Sequence, residues 1–315
     1  LAQTTLSPNT PVDIVLAEST IEQVLTAVLG KALDYEIEGD HLVIRSAAAL
    51  GPQRTVIHDV DDLASSPDET RALANTLKAL IAPGTWSGPA AEAKIAVGDT
   101  SLTVTNSFDT QFRIHLFLQE LRVARGLEPR SKFDKKLFTL TSRTQQAQTK
   151  LNTNVRAVYH VEQPLVKVLS HLEKAAGVTF LVDWQALGEV GWPPQSTAAV
   201  VADDVPLADA LDELLSPMDL AWRVIDEETL QITSVNSLTQ NPELEIYPIA
   251  DLLAAKEKTP DQVIKDLQDD LGPGLFAAEG GPFDLRYDEP SQCLLVRLPQ
   301  AQQRALEKLL ARYSE

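Results

Sequence analysis

The chain has almost no cysteine, no long apolar run and no excess of positive charge, and each absence removes a class of protein. Cys293 is the single cysteine, which rules out an intrachain disulfide framework and a cysteine-rich zinc site but does not decide the compartment. No stretch approaches the ~18 consecutive apolar residues of a membrane-spanning helix. Against 45 Asp and Glu stand 27 Lys and Arg, a net charge of −18. The acids are spread rather than blocked, which argues against binding nucleic acid by phosphate neutralisation.

Chemical motifs are missing as well. The histidines at 41, 58, 115, 160 and 171 form no pair at metal-ligand spacing on a helix and read as surface or satisfied strand residues. Asp203-Asp204 and the group Asp266, Asp269 and Asp270 offer oxygens to a hard cation. They lack the alternating loop pattern of a calcium site and read as solvated carboxylates. No Gly-x-Ser-x-Gly elbow supports a Ser-His-Asp triad. Pro83-Gly84 and Gly272-Pro273-Gly274 lie between a helix end and a strand, whereas a phosphate loop leads into a helix N-terminus. No Gly-x-x-Gly loop of a nucleic-acid-binding KH fold is present. No catalytic, cofactor-binding or metal-binding residue is therefore expected, and no cofactor.

What is present is a duplication. Pro11 to Ser46 returns as Ala199 to Ser234, and Thr55 to Arg125 returns as Leu244 to Ser314. In the first pair Ile21, Leu25, Val28 and Leu29 match Leu207, Leu211, Leu214 and Leu215. Tyr35 and Ile37 match Trp222 and Val224, and Leu42 and Ile44 match Leu230 and Ile232. In the second pair Val60-Asp61-Asp62-Leu63 matches Ile249-Ala250-Asp251-Leu252, and Pro83-Gly84-Thr85-Trp86 matches Pro273-Gly274-Leu275-Phe276. A repeat fixes the structural units before any secondary structure is assigned. At 315 residues and 44% hydrophobic, the chain is too long for one ordinary core, and four units of roughly 70–80 residues are expected.

In the first copy, spacing predicts a strand at 12–16, a helix capped at Ser19, and strands 33–37 and 41–44 joined across Glu38-Gly39-Asp40. The second copy repeats this with Pro206 at the helix start and a hairpin of 220–225 with 230–233. It is preceded by a strand at 157–161, an amphipathic helix at 165–176 ended by Gly177, and a strand at 179–182. Trp184 to Pro194 reads as an irregular loop. The complete unit spans 156–234, so the first copy starts halfway through its own domain, and Leu1 is expected to be a truncation or processing point.

The other unit reads strand, helix, strand, strand, helix. Its elements are 56–60, 68–81, 93–97, 101–105 and 109–122, then 244–249, 260–271, 283–287, 293–297 and 300–313. A three-stranded sheet with two helices on one face buries their apolar stripes most simply. The fold class expected is α+β, a tandem of small two-layer domains. The divisions are 1–46, 54–125, a linker at 126–155, 156–234 and 243–315.

Charge separates the copies. Residues 156–234 carry thirteen carboxylates against four Lys and Arg, a net of −9. The linker carries Arg130, Lys132, Lys135, Lys136, Arg143 and Lys150 against Glu128 and Asp134, a net of +4. It also holds Phe133, Leu137, Phe138 and Leu140, too many apolar residues for a free tether, and is expected to dock on a repeat.

The run from Val158-Tyr159-His160-Val161 through Leu165 and Leu169 to Gly177-Val178-Thr179-Phe180 resembles the short N-terminal domain of secretins and TonB-dependent receptors. So does Val205 to Leu215, continuing into Leu220-Ala221-Trp222-Arg223-Val224. The strand–helix–strand–strand–helix unit is similar to the KH-like domains in the periplasmic part of secretins. Alternating units of both kinds are also similar to uncharacterised exported proteins of planctomycetes. The resemblance implies an exported, periplasmic or cell-envelope protein whose small α+β domains dock other proteins. No outer-membrane barrel segment follows, so pore formation is not implied.

The leading expectation is a non-enzymatic scaffold that binds protein partners through strand edges or loops. The alternative is the periplasmic segment of a larger secretin-like or TonB-linked transport component. A third class is a hydrolytic enzyme with a cleft of carboxylates between the repeats. Trp184 and Trp192, flanking the irregular loop, are the candidate interaction residues. The competing role for both is to plug the end of a small domain.

Overall fold

The computed structural model describes residues 33–38, 41–46, 53–86, 93–256 and 258–314. The expected strand at 12–16 and helix from Ser19 lie outside them. Of the first copy the described residues contain the hairpin β1 (Leu33–Glu38) and β2 (His41–Ser46). Tyr35 pairs with Ile44 and Ile37 with Leu42. The later copy pairs Trp222 with Ile232 and Val224 with Leu230, so the matched residues hold the same register.

A three-stranded antiparallel sheet follows, from β3 (Arg54–Asp59), β4 (Lys94–Val97) and β5 (Ser101–Asn106), in the order β3-β5-β4. Helix α1 (Pro67–Leu80) starts where the Ser66 hydroxyl accepts the Glu69 N–H and Pro67 occupies the first turn. Helix α2 (Phe108–Ala124) starts at Ser107 in the same way. Strand β5 alternates inward Leu102, Val104 and Asn106 with half-exposed Ser101, Thr103 and Thr105, the pattern of a sheet with one covered face.

Residues 126–152 do not hang free. Arg130 donates to Asp61 and Asp62 of the first repeat, Phe138 is fully buried, and Leu140 packs on the same core. Phe133 and Leu137 differ from expectation: they remain 51% and 48% exposed. The segment also forms short helical turns at Lys135–Phe138, Arg143–Gln146 and Gln148–Leu151.

The next unit has two sheets. A ribbon pairs β6 (Asn154–Pro164) antiparallel to β8 (Thr197–Pro206). A mixed sheet has the order β7-β10-β9, from β7 (Thr179–Val182), β9 (Leu220–Val224) and β10 (Thr229–Ser234). Helix α3 (Leu165–Ala176) ends at Gly177, whose φ of 63° suits a residue without Cβ. The stretch read as an irregular loop begins instead as α4 (Trp184–Glu189), because the Asp183 carboxylate accepts the Ala186 N–H at 3.0 Å. Pro206 sits just before α5 (Leu207–Leu215) rather than inside it. Trp222 is buried in the core of this unit, its indole N–H donating to Asp212 of α5 at 2.7 Å.

After α6 (Val235–Gln240) comes the second three-stranded sheet: β11 (Glu243–Pro248), β12 (Asp284–Asp288) and β13 (Cys293–Leu298), in the order β11-β13-β12. Counted along the chain the strand order matches the first sheet, and so does the register: Ile95 faces Val104 as Leu285 faces Val296. Helices α7 (Ala250–Lys256), α8 (Pro260–Leu271) and α9 (Gln300–Ser314) complete it. Sequence spacing did not anticipate α6 or α7. The protein is α+β, with several small sheets and no barrel among the described residues.

One buried polar clamp recurs in both repeats. Gln111 donates its side-chain amide to the carbonyls of Arg54 and Val104 at 2.9 and 2.8 Å. Gln303 donates to Glu243 and Val296, each at 3.1 Å. The carbonyl end of each amide then accepts from an aromatic partner, His58 in one repeat and Tyr247 in the other. Burial holds the His58 imidazole below its usual range, leaving it neutral and able to donate.

Two mutations test this packing. Trp222→Ala should destabilise the protein by ~3–5 kcal/mol, read as a lower denaturation midpoint; an unchanged midpoint would contradict the packing. Limited proteolysis should leave Lys132–Lys150 intact while the protein is folded, at low and high salt alike, since the apolar anchors do not depend on ionic strength. Rapid cleavage there would show a loose tether.

Candidate functional site

The two three-stranded units meet through α2. Its inward residues Ile114, Phe117, Leu118 and Leu121 share one core with Ile246, Cys293 and Leu295 of the second sheet. Arg122, 2% exposed, grips Asp62 with two hydrogen bonds of 2.8 and 3.0 Å and donates to the Asp59 carbonyl. Burial alone would raise the Asp62 carboxyl, but the hydrogen bond and charge of Arg122, with the charge of Arg130, hold it below its usual range. Arg125 reaches across the seam to Asp288, with contacts of 2.5 and 3.0 Å, and donates to the Leu63 carbonyl.

A knot of carboxylates lies on this seam. Alternation along β11 puts Glu243, Glu245 and Tyr247 on one face. Glu120 approaches from α2, Glu307 from α9, and Ser142 and Arg143 from the linker. Glu243 is well satisfied: Arg223 donates at 3.1 Å, Gln300 at 2.8 Å, and Arg143 stands 3.7 Å away. Glu245 is not so well placed. Burial pushes its carboxyl up to about 8, the neighbouring charges of Glu243 and Glu120 adding to the effect and Arg143 opposing it. Burial likewise pushes Glu120 up to about 7 against the charge of Arg143. Burial raises Glu307 too, offset in part by hydrogen bonds from Ser142 and Tyr247 and by Arg304. The Tyr247 phenol is pushed up by burial and the surrounding carboxylates and stays a donor.

This seam can therefore take up and release protons near neutral pH. It is packed between elements rather than open as a cleft. The small cavity described in the protein, about 260 Å³, is elsewhere, lined by Leu252, Lys258, Val263, Arg312 and Tyr313. Among the described residues no group of three or more His, Cys, Asp or Glu is placed to hold a metal ion, and no helix is long and apolar enough to cross a membrane. Asp266 and Asp270 face Lys258 and Arg312 as ion pairs.

Sequence reading placed the interaction residues at Trp184 and Trp192. The structure packs both, half-buried, against the core of the 156–234 unit beside the fully buried Leu187. The free edge of β9 is also occupied. The Gln300 side chain accepts the Val224 N–H at 2.7 Å and donates to the Val224 carbonyl at 2.8 Å, in the manner of a neighbouring strand. Arg304 donates to the Trp222 carbonyl and lies 3.8 Å from the centre of its ring. That edge is closed by the chain's own last helix.

Exposed apolar surface lies elsewhere. The ribbon turns Val155, Ala157, Ala198, Val200 and Ala202 inward. On its other face Val158 and Val201 pair across the strands, 36% and 46% exposed, and Val161 stands 74% exposed where the register shifts. Thr197 and Glu162, with Arg156, Asp203 and Asp204, form the rim. A second patch is the pair Phe133 and Leu137 with Lys132, Lys135 and Lys136 around it, all exposed.

The seam carboxylates make stability depend on pH with a definite sign. Glu120, Glu245 and Glu307 have folded values above the unfolded 4.5, so their protons stabilise the fold at low pH, and the contributions of Glu120 and Glu245 are lost as pH rises through about 7 and about 8 respectively. The unfolding midpoint should fall between about pH 6 and about pH 8.5, and Glu245→Gln should flatten the slope and raise the midpoint at the alkaline end. A wild-type midpoint that is level across this range would show the carboxylates to be solvated.

No known protein family matches the chain, and no curated protein matches it. Among solved structures, it is similar to the crystal structure of the enterotoxigenic Escherichia coli GspC-GspD complex from the type II secretion system. The sequences are 13% identical, and the likeness covers 51% of this chain and 98% of that chain with a TM-score of 0.20.

Proposed function

We propose that the chain is a non-enzymatic, exported scaffold for protein–protein contacts, working in the periplasm or cell envelope. In this reading 54–125 and 243–315 are KH-like modules, 156–234 is a complete secretin-type short N-terminal module, and 1–46 is part of a second one. The observation that carries the proposal is the outer face of the β6–β8 ribbon. Val158 and Val201, exposed and paired across one face of the antiparallel ribbon, with exposed Val161 at the adjoining register shift and charged residues around them, have the apolar centre and polar rim of a docking patch. The ribbon is held from behind by the largest of the three cores, so little conformational entropy is lost when a partner binds.

The carboxylates with raised values fit this reading better than hydrolysis. They touch Tyr247, Ser142 and Arg143 within a packed seam, where they act on the joint between repeats. Trp184 and Trp192 enter the proposal as supports at one end of the same unit.

The test is site-specific photocrosslinking in cells of the source organism. A photoreactive residue at position 201 should capture a polypeptide, either foreign or another copy of the chain. The same residue at half-buried position 184 should capture none, and adding Val158→Asp should reduce the product from 201 severalfold. Absence of any product from 201 would refute the scaffold reading.

A further inference from the structure

Two uncovered surfaces on this chain complement one another. One is the knob of the linker. Phe133 is fixed from behind by edge-on contacts with Phe112 and His115, at 5.6 and 5.5 Å, and Ser131 holds His115 at 2.9 Å. Asp134 caps the following turn by accepting the Lys136 N–H. The knob is therefore pre-shaped, with two apolar tips, Phe133 and Leu137, among three lysines. The other surface is the ribbon face of Val158 and Val201, with Val161 exposed at the register shift beside it and with Glu162, Asp204 and the Arg156–Asp203 ion pair on its rim, in a unit of net −9. One patch is apolar with a basic rim and the other apolar with an acidic rim. Both face solvent in the folded chain, so a single copy does not satisfy them with each other.

We propose that the Phe133–Leu137 knob of one copy docks on the valine face of the β6–β8 ribbon of a second copy. This deepens the scaffold reading by naming the partner. The charge pattern commits the occupant: on a chain of net −18, Lys132 and Lys136 form a local exception beside Lys135, itself paired with Glu128 at 2.8 Å, and the ribbon of another copy offers acids and valines that match them and Phe133. The contact is heterologous, since knob and ribbon are different patches. A pair of copies joined in this way retains a free ribbon on one copy and a free knob on the other, so association continues into chains or closes into rings. Aromatic side chains at the centre of such patches carry a large share of binding energy, and the rim charges are screened beyond ~8 Å at physiological salt.

Sedimentation velocity of the full chain over a wide concentration range tests this. The wild type should self-associate, and Phe133→Asp and Val201→Asp should each weaken association by at least about tenfold. Ile57→Asp, at a 71% exposed position on the first sheet, should leave it unchanged. Circular dichroism confirms folding of each variant. The decisive sample is an equimolar mixture of the two Asp variants. One supplies an intact ribbon and the other an intact knob, so dimers should form and nothing larger. A monomeric wild type, or a mixture that stays monomeric, overturns the proposal. If the wild type is monomeric while position 201 still crosslinks to a different protein in cells, self-docking fails and the scaffold reading stands.

Discussion

Helix α2 packs on two sheets at once, and the arrangement of the repeats depends on that. Its inner residues cover the first sheet and also meet the outer face of the second through Ile246, Cys293 and Leu295. The central strand of the second sheet is thereby buried on both sides: every residue of β13 except Arg297 is buried. A helix shared in this way cannot move relative to one sheet without uncovering the other. Arg122 and Arg125, three residues apart on its last turn and cap, pin it to Asp62 and Asp288 respectively. The first pair lies within a repeat and the second crosses between repeats. Removing one partner of such half-dry pairs leaves a charge without compensation, which costs more than the pair itself contributes.

The two copies diverge where their surroundings differ and agree where they do not. The Gln111 and Gln303 clamps sit in matched interiors and are retained. The outer sheet faces have separated: Thr55, Ile57 and Thr103 in the first copy stand at the positions of Leu244, Ile246 and Leu295 in the second. Threonine suits a strand surface facing water, and leucine suits one facing α2. The last helices differ in the same way. Phe112 and His115 receive Phe133 of the linker, whereas Arg304 and Glu307, at the same places in α9, receive the β9 edge and Ser142. The same helix stripe is a docking face in both repeats, filled by whatever the chain supplies next.

Most of the fold was legible because its elements are amphipathic and its repeats share spacing. The layer between the repeats was not, although a signal existed. Cys293-Leu294-Leu295-Val296 is a continuous apolar run, whereas Ser101-Leu102-Thr103-Val104 alternates. A continuous run indicates a strand covered on both faces, which is the environment of β13. The seam carboxylates were hidden for the opposite reason. Glu243-Leu244-Glu245-Ile246 alternates like a half-buried strand with its glutamates in water, yet the glutamates face Gln300, Arg143 and the last helix. Periodicity assigns residues to faces and does not say which face a later segment will cover. Trp184 and Trp192 illustrate the same limit: their place flanking a loop marked them, and the sequence did not show that both would pack partly buried against the core of their unit.

The seam and the surface patches are linked through charge. A chain of net −18 repels its own copies as well as other acidic proteins. Glu120 and Glu245 hold their protons up to about 7 and about 8, so over the mildly acidic range the folded chain carries up to two fewer negative charges than its composition implies. Those charges are removed at the joint between repeats, where ionisation would place like charges beside Glu243 within a packed layer. Proton binding there favours the closed seam, and it also lowers the repulsion that any contact between copies has to overcome. Association of copies and cohesion of the repeats therefore respond to pH in the same direction. This follows from placing the least solvated carboxylates where the second repeat meets the first.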